Sequence, residues 1–282
     1  MNDLAWIPFG RGVRLLAAHP AGLLAVEKPE GILAHPNHGE AGDRETTLIQ
    51  GNYSMEEEAF HIRDGAGGIR RVYLLNRLDS PTSGVLLLSL DAGLAEAVKD
   101  LFAKSKVSKK YVAVVKGRGL RQPRGTWQDQ LVKSKGPGGG VRSGTSTGGG
   151  AAAVTLYQWE RAAAEPLPLS LLKLEPRTGR THQLRVQTAE HGHPILGDRT
   201  YGDFEFNKAV GTARGFKRLF LHAHSTQLSL DWQGKRLEFS AVAPIPQEFL
   251  DALGGEGSGD PAKARKPAPA GTVVSPRLRI RL

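Results

Sequence analysis

The order of patterns along the sequence agrees with an α+β fold on three observations. Strand-like and helix-like stretches do not alternate regularly enough along the chain for a doubly wound parallel sheet. A continuous apolar run, Val85-Leu86-Leu87-Leu88, reads as a short strand buried on both faces. Just after it, Asp91 stands where a helix N-cap would, and Leu94, Ala97, Val98, Leu101 and Phe102 recur at helical spacing, giving an amphipathic helix packed on the sheet.

The remaining elements follow in order. From Val13 to Pro29 the chain reads as a short strand pair, with the apolar run Leu23-Leu24-Ala25-Val26 ending at Lys28-Pro29. Residues 37–71 are irregular, with Glu56, Glu57 and Glu58 followed by Gly65, Gly67 and Gly68, and are expected to be an insertion. Asn76 to Gly84 form a turn ahead of the buried strand; Pro81 fixes its own φ and Gly84 accepts angles other residues avoid, so Asp79 sits on a stiff turn. Lys104, Lys106, Lys109 and Lys110 follow the helix and fit either a solvated helix end or a phosphate contact. Tyr111-Val112-Ala113-Val114-Val115 is a strand, for which an aromatic at the start is ordinary core or sheet surface.

Residues 134–153 are glycine-rich, lack the Lys-Ser/Thr of a Walker loop, and predict a mobile loop and a second insertion. Thr181 is the expected cap of a helix carrying Arg185, which Gly192 and Pro194 stop. His222 falls in a strand and is expected to be satisfied within the sheet. One domain over residues 13–253, a linker over 254–272 and a basic tail over 273–282 complete the organisation. The tail alternates as Arg277-Leu278-Arg279-Ile280-Arg281-Leu282, one face basic and the other apolar, and suits an edge strand or a contact with a polyanion. The stretch ahead of residue 13 is short, and no small separate domain is expected there.

Composition narrows the function. The 282 residues carry 38 Lys plus Arg against 28 Asp plus Glu, a net charge of +10, which fits a polyanionic partner. With no cysteine there are no disulfides, no thiolate zinc site and no zinc-dependent base deaminase. No run of eighteen apolar residues and no signal segment is present, so a cytoplasmic protein with no membrane partner is expected. The pairs His191/His193 and His222/His224 lack an evident third ligand, and neither a metal nor a cofactor is expected.

Taken alone, the Arg77-Leu78-Asp79 step is a surface ion pair that orders a turn, worth about 0–1 kcal/mol. Its reading changes beside a second segment, Glu175-Pro176-Arg177-Thr178-Gly179-Arg180-Thr181-His182-Gln183-Leu184-Arg185-Val186, followed by His191-Gly192-His193-Pro194-Ile195-Leu196-Gly197-Asp198. With Asn76-Arg77-Leu78-Asp79 and Thr82-Ser83-Gly84, these segments resemble the RluA-type family of RNA pseudouridine synthases. Val26-Glu27-Lys28-Pro29 with Gly31, His35-Pro36, Lys110-Tyr111 with Ala113, and Leu221-His222-Ala223 agree in order, so the likeness spans roughly residues 20–250.

The resemblance implies a mixed, largely antiparallel sheet flanked by helices, with an RNA cleft across its middle, and makes residues 13–253 a catalytic domain. It assigns Asp79 as the nucleophile that attacks a uridine, after which the glycosidic bond breaks, the uracil turns and its C5 joins the ribose C1′. Arg185 would hold Asp79 ionised. Tyr111 would pack on the uracil and is a candidate for the proton transfer from C5. Arg77 would enter the RNA stack as the nucleotide flips out, and Asn76, Arg180, His182 and Leu196 complete the implied substrate-binding set.

Those residue types suit the chemistry. A carboxylate under a flipped base is pushed toward its neutral form, and a guanidinium beside it reverses that. Extruding a base costs a few kcal/mol, which a flat cation filling the gap offsets. The partner that the resemblance implies is RNA, ribosomal or transfer, and a monomer is expected. The chain departs from the family pattern at Asn76 and Gln187, where histidine is usual. Asn76 encourages the alternative of a catalytically impaired RNA-binding or RNA-chaperone protein of the same fold. A glycoside hydrolase would need a second carboxylate about 5–9.5 Å from Asp79, and no paired-carboxylate motif supplies one.

Overall fold

The computed structural model describes residues 4–36, 46–65, 67–120, 122–135, 141–146, 148–163 and 167–254, the side chains of 135 and 141 excepted. The linker and tail expected over 254–272 and 273–282 lie outside the described residues from position 255 onward. The first strands are β1 (Arg14–Ala18) and β2 (Leu23–Lys28), antiparallel to each other as the strand pair predicts. Next come β3 (Asn52–Ser54), β4 (Ala59–Arg63) and β5 (Ile69–Leu74), in a stretch whose sequence reads as irregular. These strands are short, so the alternation of Phe60 with Ile62 and of Val72 with Leu74 into the core is too brief to stand out in the sequence; hydrogen bonding to one another and to β6 (Ser83–Ser89) defines them.

Every residue of β6 is buried. Leu86 and Leu88 pack into one core with Phe60, Ile49 and Val72, while Val85 and Leu87 face another with Leu94, Val98 and Phe239. Helix α1 (Ala92–Ala103) begins as expected, the Leu94 N–H donating to the Asp91 carboxylate at 2.7 Å. The second half of the molecule is built from β7 (Ser108–Lys116), β8 (Arg124–Lys135), β9 (Val141–Thr145), β10 (Ala151–Ala162) and β11 (Leu169–Pro176). The described part of the glycine-rich stretch is therefore largely sheet: β8 pairs with β9 on one side and β10 on the other.

Helices α2 (Gln183–Glu190) and α3 (Phe204–Arg214) follow, then β12 (Leu221–Trp232), β13 (Lys235–Val242) and α4 (Gln247–Ala252). The described strands form one sheet in the order β3-β4-β5-β6-β12-β7-β11-β10-β8-β9, with β2 linking β1 to β6 and β13 beside β12. All pairings are antiparallel except β6 with β12. The result is the mixed, largely antiparallel sheet with flanking helices that the resemblance implies.

At the parallel pair, His222 faces Ser83 and Ala223 faces Gly84. Gly84 has φ +118°, and a Cβ there would collide with the Ala223 carbonyl oxygen, so only glycine lets the two strands meet. This seam joins the two halves of the protein, and the candidate site lies across it.

Candidate active site

The turn before β6 is pinned from behind. The Thr82 N–H donates to the Asp79 carbonyl at 2.9 Å and the Gly31 N–H to the Ser80 carbonyl at 2.8 Å. Lys28, with no exposed surface, donates to the carbonyls of Pro29, Ile32 and Ser80 at 2.9, 2.7 and 2.9 Å. Burial pulls its pKa down to about 7, against the raising effect of Asp79. Three carbonyls match the three N–H donors of the ammonium, whereas a neutral amine would fill only two, so the charged form fits the site.

Asn76 accepts the Leu87 N–H at 2.9 Å, tying the segment ahead of the turn to β6. Its amide thus does structural bonding that does not require a charge.

Arg185 enters from the other half. Helix α2 starts one residue later than a Thr181 cap would give: its N-cap is His182, in the left-handed conformation at φ 54°, ψ 19°, with no side-chain cap bond. The Gln183 side chain organises this entry, its oxygen accepting from the Thr178 hydroxyl at 2.7 Å and the Arg180 N–H at 3.0 Å. The helix ends at the predicted stop, where the Gly192 and His193 N–H groups donate to Ala189 and Thr188 and Gly192 takes φ 79°. Gln187 is buried and bonded to Thr155, Asp129 and Ala153, so it fastens α2 to β8 and β10.

The Arg185 guanidinium spans two carboxylates. Its Nε and Nη2 grip Asp198 at 2.7 and 2.9 Å, and its Nη1 donates to Asp79 Oδ2 at 3.0 Å. Asp198 is 1% exposed, Arg185 6%, and the Asp79 side chain 30%. Burial works against the charge on Arg185, but the bonds and fields of Asp198 and Asp79 outweigh it and raise the guanidinium pKa further. Burial likewise pushes the Asp198 carboxyl up, and its bonds from Arg185, Tyr201 and Thr200 bring it below its ordinary value.

Asp79, Arg185 and Tyr111 line a single cleft of about 550 Å³, with Arg77, Lys109 and Arg180 also in its wall. Burial, then the charge of Asp79, raises the Tyr111 phenol pKa, so its proton is firmly held at neutral pH. Arg77 is exposed, with Nη1 3.2 Å from His35 Nε2. Arg180 is exposed and donates to the Ala152 carbonyl at 3.1 Å, and His182 brings Nε2 to 3.8 Å from Asp79 Oδ2.

Asn76 also reaches the cleft; Leu196 does not. It is 2% exposed in the core with Val112, Phe220 and Ile195, its backbone bridging Val114 and Phe220. Its place beside Gly197 and Asp198 in the motif reflects packing under the site, which corrects its expected substrate contact. Sequence reasoning missed Asp198 and Lys28. The Gly197-Asp198 step was the available signal, since a guanidinium with five donors can hold more than one carboxylate.

The lysines after α1 divide: Lys104 and Lys106 are exposed, whereas Lys109 is partly buried, its pKa lowered by that burial. His222 is buried in the sheet with Nδ1 2.8 Å from the Ser83 hydroxyl, while its Nε2 has no partner among the described residues. Among the described residues no three His, Asp or Glu side chains cluster to hold a metal ion, and no helix is long and apolar enough to cross a membrane.

The family described as RNA pseudouridylate synthase matches residues 22–190. The tRNA pseudouridine synthase C of Yersinia pestis is 33% identical over 238 residues, covering 81% of this chain and 86% of its own. The ribosomal large subunit pseudouridine synthase C of Pasteurella multocida (strain Pm70) is 31% identical over 82% of this chain, which spans 64% of that relative. Among solved structures, Human RNA Pseudouridylate Synthase Domain Containing 4 superposes with a TM-score of 0.59 at 25% identity, covering 86% of this chain and 92% of that one. A match over more than half its length, with relatives above 30% identity across four-fifths of it, makes this chain a member of the RNA pseudouridylate synthase family.

Proposed function

We propose that the protein converts uridine to pseudouridine in RNA with Asp79 as the nucleophile, and that residues 13–253 are its catalytic domain. The observation that carries this reading is the Arg185 Nη1 contact to Asp79 Oδ2 at 3.0 Å at the floor of the cleft. It sets a fixed guanidinium against the carboxylate that would attack the sugar. Asp79 attacks C1′ and the C1′–N1 bond breaks, leaving an ester at C1′; the uracil turns, C5 bonds to C1′ as the C1′–O bond to Asp79 breaks and frees the carboxylate, and the C5 proton is lost while N1 gains one. Tyr111, whose phenol is protonated, presents its ring to the uracil. Arg77, at the exposed edge of the cleft, fills the space the flipped nucleotide leaves, and Arg180 and Lys109 meet phosphates.

The relatives named for transfer RNA and ribosomal RNA support one of those as substrate, and we propose that the protein acts on it as a cytoplasmic monomer. The test is tritium release from RNA labelled at uridine C5 and taken from cells lacking this protein. Wild type should release tritium; Asp79→Asn, which keeps the shape and removes the nucleophile, should release none. Equal release by both would overturn Asp79 as the nucleophile.

A further inference from the structure

Tyr201 has a place in the site that the catalytic residues do not explain. Its hydroxyl accepts the Ser143 N–H at 2.8 Å and lies 2.8 Å from His182 Nδ1. Its ring lies under Arg185, 5.2 Å from the guanidinium carbon, and its own N–H donates to Asp198 at 3.0 Å. Ser143 belongs to β9, in the glycine-rich stretch, and its hydroxyl also donates to the Thr181 carbonyl at 2.9 Å. The β8–β9 hairpin therefore touches the catalytic face through Tyr201 and the turn ahead of α2.

A backbone N–H can only donate, so it occupies one lone pair of the Tyr201 oxygen and leaves the hydroxyl proton free to be given to His182 Nδ1. A ring that accepts at Nδ1 carries its proton at Nε2. That nitrogen is 3.8 Å from Asp79 Oδ2, on the cleft side. The backbone at His182 is held at φ 54°, a conformation costly outside glycine, as if ring placement took precedence over local comfort.

We infer that Tyr201 is a positioning residue for the reaction: its hydroxyl, oriented by the Ser143 N–H, donates to His182 Nδ1 and fixes the ring as the Nε2–H tautomer aimed at the base above Asp79. This rests on the reading of the cleft as a pseudouridine synthase site. When the C1′–N1 bond breaks, the electron pair stays with the uracil and its carbonyl oxygens gain negative charge. A fixed N–H beside the carboxylate stabilises that charge without giving up its proton. The charged groups facing the ring are Asp79 from the turn, Arg185 from α2 and Asp198 from the segment before α3. Burial, the largest influence, lowers the His182 pKa despite Asp79, consistent with a neutral donor.

Two measurements on the full chain test it. Nitrogen-15 spectra of labelled histidines, with the His182 signal identified by its loss in His182→Gln, should report Nε2–H for His182 in wild type and a mixture of tautomers in Tyr201→Phe. In single-turnover tritium release from C5-labelled RNA of cells lacking the protein, Tyr201→Phe should slow the step about tenfold with RNA affinity unchanged. The double variant with His182→Gln should be no slower than His182→Gln alone. An Nδ1–H ring in wild type, or effects that multiply, would overturn the inference. Phenylalanine keeps the ring under Arg185; should that variant nonetheless fail to fold, the wild-type spectrum still decides. Absence of release by wild type would instead overturn the activity, which the spectrum does not depend on.

Discussion

At the scale of the residue, the site turns on one guanidinium held between two carboxylates of different character. Asp198 is sealed and bidentate and fixes the orientation of Arg185; Asp79 is partly open and receives the remaining N–H. Asp198→Asn should therefore disturb more than one bond, because it leaves a buried arginine with an amide facing part of its fork. Breaking such a pair costs about 3–5 kcal/mol, readable as a lower urea midpoint. The carboxyl pKa of Asp198 is lower in the folded chain than unfolded, so its contribution is complete above the unfolded value and lost as pH falls through the folded one. Wild type should lose stability more steeply than the variant below about pH 4; parallel curves would refute this assignment. The meeting of Asp79, Tyr111 and Arg185 in one cleft was legible in the sequence because short motifs carry them. Asp198 and Lys28 were quoted within those motifs without a role, since neither a second carboxylate nor a lysine bonded to three carbonyls leaves a spacing pattern.

At the scale of the element, legibility followed hydrophobic contrast. Strand β6 and helix α1 were plain because an unbroken apolar run and a 3.6-residue repeat are strong signals. Strands β3 to β5 and the glycine-rich part of the β8–β9 pair were read as irregular or mobile because they are short or glycine-rich and are defined by pairing with one another rather than by a long hydrophobic pattern. Helix α2 was recognised, but its start was not: the Gln183 side chain and a left-handed His182 replace the expected Thr181 cap. Gly84 was legible only as a turn residue. Its closer constraint is the β6–β12 seam, where a methyl group would meet backbone rather than a movable side chain. Gly84→Ala should lower unfolding free energy by about 3 kcal/mol and slow turnover, because the strand that follows Asp79 must shift. Unchanged stability in a urea titration would show that the seam can part without cost.

At the scale of the whole molecule, the site is assembled across the sheet. The turn bearing Asp79 is anchored to the half built on β2 and β6, while Tyr111, Arg185 and Asp198 belong to the half built on β7, β11 and α2. The 3.0 Å contact between Asp79 and Arg185 thus bridges the two. The net charge of +10 supplies long-range attraction for a polyanion, and Arg77, Lys109 and Arg180 bring positive charge to the cleft itself. If Lys109 and Arg180 engage phosphates of an unpaired segment while Arg77 stacks in the vacated space, the logarithm of RNA affinity should fall with the logarithm of salt concentration with a slope of about −1.4, from about −0.7 per phosphate. Arg180→Ala should weaken binding and flatten that slope by about 0.7, while leaving the Asp79–Arg185 pair in place. Fluorescence anisotropy with labelled RNA at a series of salt concentrations reads both quantities. A slope that does not change on removal of Arg180 would mean that this side chain meets a base or the protein itself, and that the phosphates are held elsewhere on the basic surface.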